Sequence, residues 1–312
     1  MSAATGRRHL ISIDDLTDAE LYELVRRGAE FAAGKAEDAR PLHDRVVGIL
    51  FRRTSTRTRT AFSAGALRLG GRIIGYGPDD LQENTGETVE DTARVLSGML
   101  DVLVARTSGP EAEMRAMADQ RRMAVINAMS AEEHPTQALA DLTTLQGHFG
   151  RVDGLRVLYA GEGNNTASAL TLALSRYPGT ELHLRTPPGY GVHPRYVEPA
   201  TAEAARRGGR VEQRHDMADL PEVDVVYTTR WQTTGTSKPD PDWRSVFEPF
   251  RVDDAVLAAS RAPVFLHDLP AHRGEEVTAE VLDGPRSLAF RQAENKYHSA
   301  RAVLEWCTGG NG

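Results

Sequence analysis

The sequence contains very little cysteine and no long apolar run. Its single cysteine, Cys307, excludes an internal disulfide and a cysteine metal cluster. No apolar stretch approaches the ~20 residues that a membrane-spanning helix needs. The first ten residues, MSAATGRRHL, lack the apolar core of a signal peptide. These absences predict a cytoplasmic protein that does not bind membranes.

An excess of positive charge is also absent. The 312 residues carry a formal net charge of −7. Nucleic acids and membrane surfaces are anionic, so this balance argues against either as a partner. A chain of this length is expected to form two domains, or one large domain, with a proper hydrophobic core.

Apolar runs and helical patterns alternate along both halves of the chain. Short apolar runs bounded by charged or turn residues predict strands at 46–51, 71–77, 101–106, 123–129, 155–161, 181–187, 223–227 and 263–270. Helical spacing predicts helices at 13–33 (capped by Asp14 or Asp15), 61–71, 89–100, 134–150, 165–177, around 197–207 and 292–306. This alternation predicts an α/β fold with two domains, each with a central parallel sheet flanked by helices.

The segment FRRTSTRTRTAF, residues 51–62, lies between the first predicted strand and a predicted helix. It contains four arginines and five hydroxyl residues. A helix N-terminus offers free N–H groups and the positive end of the helix dipole, and arginine binds phosphate through two parallel hydrogen bonds. The segment therefore predicts an anion site, although an isolated arginine-rich turn is more often a solvated loop.

Five motifs together resemble the aspartate/ornithine carbamoyltransferase family, in the family's order along nearly the whole chain. They are S-T-R-T-R at 55–59, D-T-A-R-V-L-S at 91–97, H-P-T-Q at 134–137, H-D-L-P at 267–270 and Q-A-E-N-K at 292–296. The first is similar to the family's carbamoyl-phosphate signature. The second, fourth and fifth are similar to the ornithine branch, which has H-C-L-P and Q-A-E-N-R, and they disfavour the aspartate branch.

The resemblance implies transfer of a carbamoyl group from carbamoyl phosphate to the side-chain amine of an ornithine-like diamino acid. The products would be a ureido amino acid and phosphate, with no metal or other cofactor. Carbamoyl phosphate would bind residues 1–149, with a C-terminal helix at 291–308 packing back on them. The amine would bind residues 150–290, and the active site would lie in the cleft between the two domains.

The resemblance also assigns individual residues. Those implied to bind carbamoyl phosphate are Ser55, Thr56, Arg57, Thr58, Gln82, Arg106, His134, Gln137, Leu269 and Lys296. Arg106, His134 and Gln137 would also be catalytic, because fixed donors stabilise the negative charge that develops on the carbamoyl oxygen. Gln82 would act in a neighbouring subunit, which implies a homotrimer or a multiple of trimers.

The amine-binding motifs depart from those of the ornithine branch, which has Y-T-D-x-W-x-S-M-G. The residues expected to bind the amine are Asn165, Thr229, Thr233, Thr234 and Asp268. Thr229 replaces an aspartate, and Asp268 replaces the cysteine of H-C-L-P. We therefore hypothesise that the carboxylate has moved from 229 to 268, where it binds or helps to deprotonate an ammonium group. Local capping is the alternative role for Asp268, and also for Asn165.

Two further departures leave the acceptor open. Gly86 stands where the ornithine branch has a lysine, and Lys296 replaces the arginine of Q-A-E-N-R. A shorter amine such as 2,3-diaminopropionate is an alternative acceptor, and a non-catalytic paralogue is an alternative function. A dinucleotide-dependent oxidoreductase is a third possibility, since AGEGNNTA at 160–167 is a partial glycine-rich turn.

Overall fold

The computed structural model describes residues 7–35, 40–233 and 236–309. The chain divides into two compact units. Unit 1 comprises Met1–Thr143 and Glu294–Gly312, and unit 2 comprises Thr144–Ala293. None of the described helices combines the length and apolar character that crossing a membrane requires.

Unit 1 is built on a four-stranded parallel sheet with the order β2-β1-β3-β4. Its strands are β1 (Val46–Phe51), β2 (Arg72–Tyr76), β3 (Val102–Arg106) and β4 (Ala124–Asn127). Its helices are α1 (Asp18–Ala32), α2 (Thr56–Arg68), α3 (Val89–Leu96), α4 (Glu111–Ala118) and most of α5 (Pro135–Phe149). Strands β1, β3 and β4 are buried along nearly their whole length, as expected for a parallel sheet covered on both faces.

Unit 2 is built on a five-stranded parallel sheet with the order β7-β6-β5-β8-β9. Its strands are β5 (Arg156–Ala160), β6 (Glu181–Arg185), β7 (Arg210–Arg214), β8 (Val225–Thr228) and β9 (Val264–His267). Its helices are α6 (Asn165–Leu174), α7 (Pro194–Arg206), α8 (Trp243–Phe247), α9 (Asp254–Ala258) and α10 (Ala279–Leu282). A final helix, α11 (Ala289–Cys307), begins in unit 2 and continues into unit 1.

The predicted fold class is confirmed, but one local prediction is wrong and one strand was not predicted. The first predicted helix is divided into a short 3₁₀ turn, Ile13–Asp15, and α1, which is capped by Thr17 in a reciprocal capping box with Glu20. Neither Asp14 nor Asp15 caps α1. Strand β7 was not predicted, because its sequence RVEQR is mostly charged and polar. It lies at the edge of the sheet, where such residues remain partly exposed.

Candidate active site

The arginine- and threonine-rich turn joins the carboxyl end of β1 to α2 in unit 1. Ser55 is the N-cap of α2, but its side chain makes no capping hydrogen bond. Thr56, Arg57 and Thr58 form the first turn, in which Thr58 is buried and Arg57 partly buried. The Ser55 hydroxyl is therefore not used to cap the helix, and the first N–H groups of α2 lack an intrahelical acceptor. This arrangement suits an anion.

Arg106 ends β3, the strand beside β1, so it lies at the same edge of the sheet as this turn. The Arg52 N–H donates to the Arg106 carbonyl at 3.0 Å. The Nη1 atom of Arg106 lies 3.5 Å from Nε2 of His134, and both side chains are buried. Burial and the charges of Arg106 and Lys296 lower the pKa of His134 well below 6.5. The imidazole is therefore neutral near pH 7 and has one donor and one acceptor nitrogen.

A small cavity in unit 1 adjoins His134. Its lining consists of Thr58, Ala61, Phe62, His134, Thr136, Gln137 and Lys296. Gln137 donates from Nε2 to Asp141 at 2.7 Å, and its buried Oε1 has no hydrogen-bond partner among the described residues. An unsatisfied buried acceptor costs about 1–3 kcal/mol. Oε1 of Gln137 is therefore suited to an N–H donor on a bound molecule.

Glu133, next to His134, is a residue of this region that sequence reasoning missed. Its fully buried carboxyl group accepts hydrogen bonds from Ser12 Oγ at 2.6 Å and from the Ile13 N–H at 2.7 Å. Burial raises its pKa to about 8. The two bonds hold the segment before His134 against the N-terminal part of unit 1. Its position beside H-P-T-Q was the only signal, because its partners lie about 120 residues earlier.

Gln82 is exposed in unit 1 and begins a 3₁₀ turn, Gln82–Thr85. Its Oε1 accepts a hydrogen bond from the Thr85 hydroxyl at 3.1 Å. The following Gly86 has φ +96°, a conformation that side-chain-bearing residues rarely adopt, although a Cβ there would meet no atom within 4 Å. The lysine of the ornithine branch would be strained in this backbone conformation.

Unit 2 brings three of the predicted amine-binding residues to one edge of its sheet. Asn165, Thr229 and Asp268 follow the carboxyl ends of β5, β8 and β9, which are adjacent parallel strands. The hydroxyl of Thr229 donates to Oδ1 of Asp268 at 3.0 Å, and that of Thr166 donates to Oδ2 at 3.1 Å. Position 229, which lacks the carboxylate of the ornithine branch, and position 268, which carries one instead, are therefore in direct contact.

Asn164, rather than Asn165, caps α6. Its Oδ1 accepts hydrogen bonds from the N–H groups of Thr166 and Ala167 at 3.0 and 3.2 Å. Asn165 is the first helical residue and is buried. The capping alternative for Asn165 is therefore wrong.

Asn164 also contacts the segment that follows β8. Its Nδ2 donates to Thr233 Oγ1 at 3.1 Å. Thr233 therefore lies beside the cap of α6. Thr234, the neighbouring predicted residue, lies outside the described residues.

His267 holds the H-D-L-P turn of unit 2. Its buried imidazole accepts the Leu269 N–H at Nδ1, 2.8 Å away, so we assign the proton to Nε2, which lies 3.2 Å from Glu276 Oε1. Leu269 is partly buried and has φ +52°, which is unusual for a residue other than glycine. These bonds fix the backbone that carries both Leu269 and Asp268.

Three side chains close to this turn have potential metal-ligand atoms within 4.8 Å of one another: His272, Glu275 and Glu276. Oε1 of Glu276 already accepts hydrogen bonds from the His267 imidazole and the His272 N–H. We therefore interpret Glu276 as a structural residue that orients His267.

The family models match almost the whole chain. Residues 8–147 match the carbamoyl-P binding domain of aspartate/ornithine carbamoyltransferases, and residues 153–307 match the Asp/Orn binding domain. The chain belongs to the aspartate/ornithine carbamoyltransferase family. The predicted family is confirmed, and the oxidoreductase alternative is wrong because its glycine-rich turn lies within the Asp/Orn binding domain.

Individual relatives cover nearly the full length of this carbamoyltransferase. It is 37% identical over 316 residues to the ornithine carbamoyltransferase of Gloeobacter violaceus, covering 99% of this chain and 100% of the relative. It is 35% identical over 300 residues to that of Bacillus subtilis, covering 96% and 93%. The solved ornithine carbamoyltransferase of Pyrococcus furiosus has a TM-score of 0.92 at 34% identity, covering 99% and 100%. The predicted enzyme class, carbamoyltransferase, is confirmed.

Proposed function

We propose that this carbamoyltransferase transfers the carbamoyl group of carbamoyl phosphate to the side-chain amine of an ornithine-like diamino acid. The observation that carries the proposal is the 3.0 Å hydrogen bond between Thr229 and Asp268. An ammonium group is favoured by a carboxylate, and this chain has one directly beside the position where the ornithine branch has its own. Asn165, at the same edge of the sheet, would bind the α-carboxylate. The names of the relatives support ornithine as the acceptor.

Unit 1 carries the residues for the other substrate. The turn from Ser55 to Thr58 would bind the phosphate through hydroxyl and N–H groups, together with the Arg57 guanidinium. The same substrate would contact Lys296 in unit 1 and Gln82 from a neighbouring subunit. Because Gln137 Oε1 is a buried acceptor, it is suited to the carbamoyl NH₂ group.

The reaction requires no group beyond these residues and the substrates. The lone pair of the neutral amine attacks the carbamoyl carbon, the carbon–oxygen bond to phosphate breaks, and the leaving phosphate takes the amine proton. Arg106 and neutral His134 would donate to the oxygen on which negative charge develops, and one such donor is typically worth about 10²–10³ in rate. Asp268 would bind the ammonium form and assist its deprotonation.

A shorter amine, such as 2,3-diaminopropionate, is the second candidate acceptor. The favouring observation is that Asp268 follows β9, whereas Thr229 follows β8. The carboxylate therefore originates one strand further along the sheet than the aspartate of the ornithine branch would.

The proposal is tested by incubating the purified protein with carbamoyl phosphate and one amine at a time, and measuring ureido product. The panel is ornithine, 2,4-diaminobutyrate, 2,3-diaminopropionate, lysine, putrescine and aspartate, with Arg106→Met as the inactive control. We expect product from ornithine. Product from a shorter diamino acid alone would select the second candidate. Binding of carbamoyl phosphate without product from any amine would contradict the proposal and favour a non-catalytic paralogue.

We also propose that the chain forms a homotrimer with shared active sites. In unit 1, the edge strand β2 exposes Ile73 and Ile74, and α2 exposes Leu67. Exposed apolar side chains on an edge strand favour burial against another chain. Light scattering should give three times the monomer mass for the wild type and a lower mass for Ile74→Asp. Phe290→Ser, which removes an exposed aromatic ring of unit 2, is the control. A monomeric wild type would contradict the proposal.

A further inference from the structure

Lys238 lies in a box of aromatic rings within unit 2. Its Nζ is 4.9 Å from the ring centroid of Tyr190, 5.1 Å from that of Trp243 and 5.0 Å from that of Phe247. Only 4% of its side chain is exposed, and its ammonium forms an ion pair with Glu162. Aromatic faces and a carboxylate are the groups with which proteins bind ammonium ions. In this box, the cation that these groups hold is the side-chain ammonium of Lys238 and not a ligand.

Glu162 connects the box to the proposed amine site. Its Oε2 accepts hydrogen bonds from the N–H and the hydroxyl of Thr233, at 3.2 and 2.9 Å. Asn164 Nδ2 donates to Thr233 Oγ1 at 3.1 Å and lies 3.4 Å from Thr229 Oγ1. Thr229 in turn donates to Asp268. The continuous series of contacts consists of Lys238, Glu162, Thr233, Asn164, Thr229 and Asp268.

The donors and acceptors in this series are mutually consistent. The NH₂ group of Asn164 supplies one hydrogen to each of two threonine hydroxyls. Each hydroxyl then uses its own hydrogen for a carboxylate, Thr233 for Glu162 and Thr229 for Asp268. The orientation of the hydroxyl that contacts Asp268 is therefore linked to the position of Thr233.

We propose that Lys238 is a positioning residue for amine recognition; this inference rests on the proposed function of Asp268. The ammonium of Lys238 compensates the partly buried charge of Glu162, which then holds Thr233 in place. Without that cation, Glu162 would turn towards water and release Thr233, because an uncompensated buried charge is costly. The donors that orient Asp268 would then lose their alignment, while the phosphate turn of unit 1 would keep its structure.

The kinetic test compares Lys238→Met, which keeps an unbranched side chain but removes the charge, and Glu162→Gln with the wild type. We expect the KM for the amine to rise about tenfold, equivalent to about 1.4 kcal/mol, and the KM for carbamoyl phosphate to change less than about twofold. Arg273→Met is the matched control, because it removes an exposed ion pair of unit 2, with Asp283, outside the series. An unchanged amine KM in both variants would overturn the proposal.

A second measurement does not require the amine acceptor to be known. Amide hydrogen exchange at Thr233, whose N–H is bonded to Glu162, should be faster in Lys238→Met and Glu162→Gln and unchanged in Arg273→Met. Unchanged exchange in the first two variants would overturn the inference, even if the amine KM rose. If no amine were carbamoylated, the proposed function would fail, while the exchange rates would still show whether Lys238 fixes Thr233.

Discussion

The hydroxyl of Thr229 donates a 3.0 Å hydrogen bond to the carboxylate of Asp268. Relative to the ornithine-branch motifs, the first position has lost a carboxylate and the second has gained one. Because the two side chains touch, a carboxylate is retained at the same edge of the sheet. The contact also means that the two positions should depend on each other when they are mutated.

Restoring the ornithine-branch residues at positions 229 and 268 tests this dependence. Thr229→Asp places a second carboxylate against Asp268, and two like charges in contact disfavour ionisation of both. We expect this single variant to lose about tenfold or more in kcat/KM for the amine. Adding Asp268→Cys, which recreates the family motif, should recover much of the loss. Steady-state kinetics of both single variants and the double variant supply the measurement, and purely additive losses would contradict a shared site.

The second prediction concerns the protonation of His134. Because burial, Arg106 and Lys296 lower its pKa, we expect no titration of this residue between pH 6 and 8. Lys296→Gln removes one positive neighbour and should move the pKa upwards, towards 6.5. The imidazole C–H signals in an NMR titration report both effects, with His134→Asn used to assign the signal. A wild-type His134 that titrates near pH 6.5 would refute this account.

The third prediction is a pH dependence of stability that arises from Glu133. Its pKa is raised from 4.5 to about 8 in the folded protein, so the folded state holds the proton more tightly than the unfolded state. The resulting stabilisation is fully present below pH 4.5 and is lost as the pH rises through 8. The difference is at most about 3–5 kcal/mol.

Glu133→Gln should remove this pH dependence, because the amide is neutral throughout. Urea unfolding at pH 5.5, 7 and 8.5 measures the free energy of unfolding of both proteins. We expect the wild type to lose stability relative to Glu133→Gln across this range. Parallel pH profiles would show that Glu133 does not titrate differently on folding.

The fourth prediction concerns the backbone at Gly86. Gly86→Ala forces a side chain into a left-handed conformation and should destabilise the protein by about 1–2 kcal/mol. Gly147→Ala is the matched control: Gly147 lies inside α5, and a Cβ there also meets no atom within 4 Å. That substitution should stabilise by about 0.5–1 kcal/mol. Thermal unfolding of both variants measures whether the two changes in stability have opposite signs. Equal shifts in melting temperature would contradict the left-handed conformation assigned to Gly86.

Sequence patterns predicted the features that depend on neighbours along the chain. The runs VVGILF and DVLVAR indicated buried strands because their apolar residues are consecutive. The turn at 55–58 was recognised because it joins such a strand to a helix. The start of α1 was misplaced because Asp14 and Asp15 resemble caps as much as Thr17 does.

The sequence could not reveal contacts between distant segments. Glu133 lies about 120 residues from Ile13, and Lys238 is 76 residues from Glu162. An ordinary charged residue shows no local pattern when its partner lies in another part of the chain. The contact between Thr229 and Asp268 was likewise found only in the structure, although comparison of the motifs had already singled out both residues.

The division of unit 1 between the two ends of the chain affects how the protein is made. Residues up to Thr143 leave the ribosome before unit 2, but α11, which buries Val303 and Leu304 in unit 1, is completed only after unit 2. Unit 2 is contiguous and can fold earlier, reversing the usual N-terminal-first order. Lys296, which lines the cavity beside His134, belongs to this later segment. A nascent chain therefore lacks this lining residue of the cavity until all of unit 2 has been synthesised.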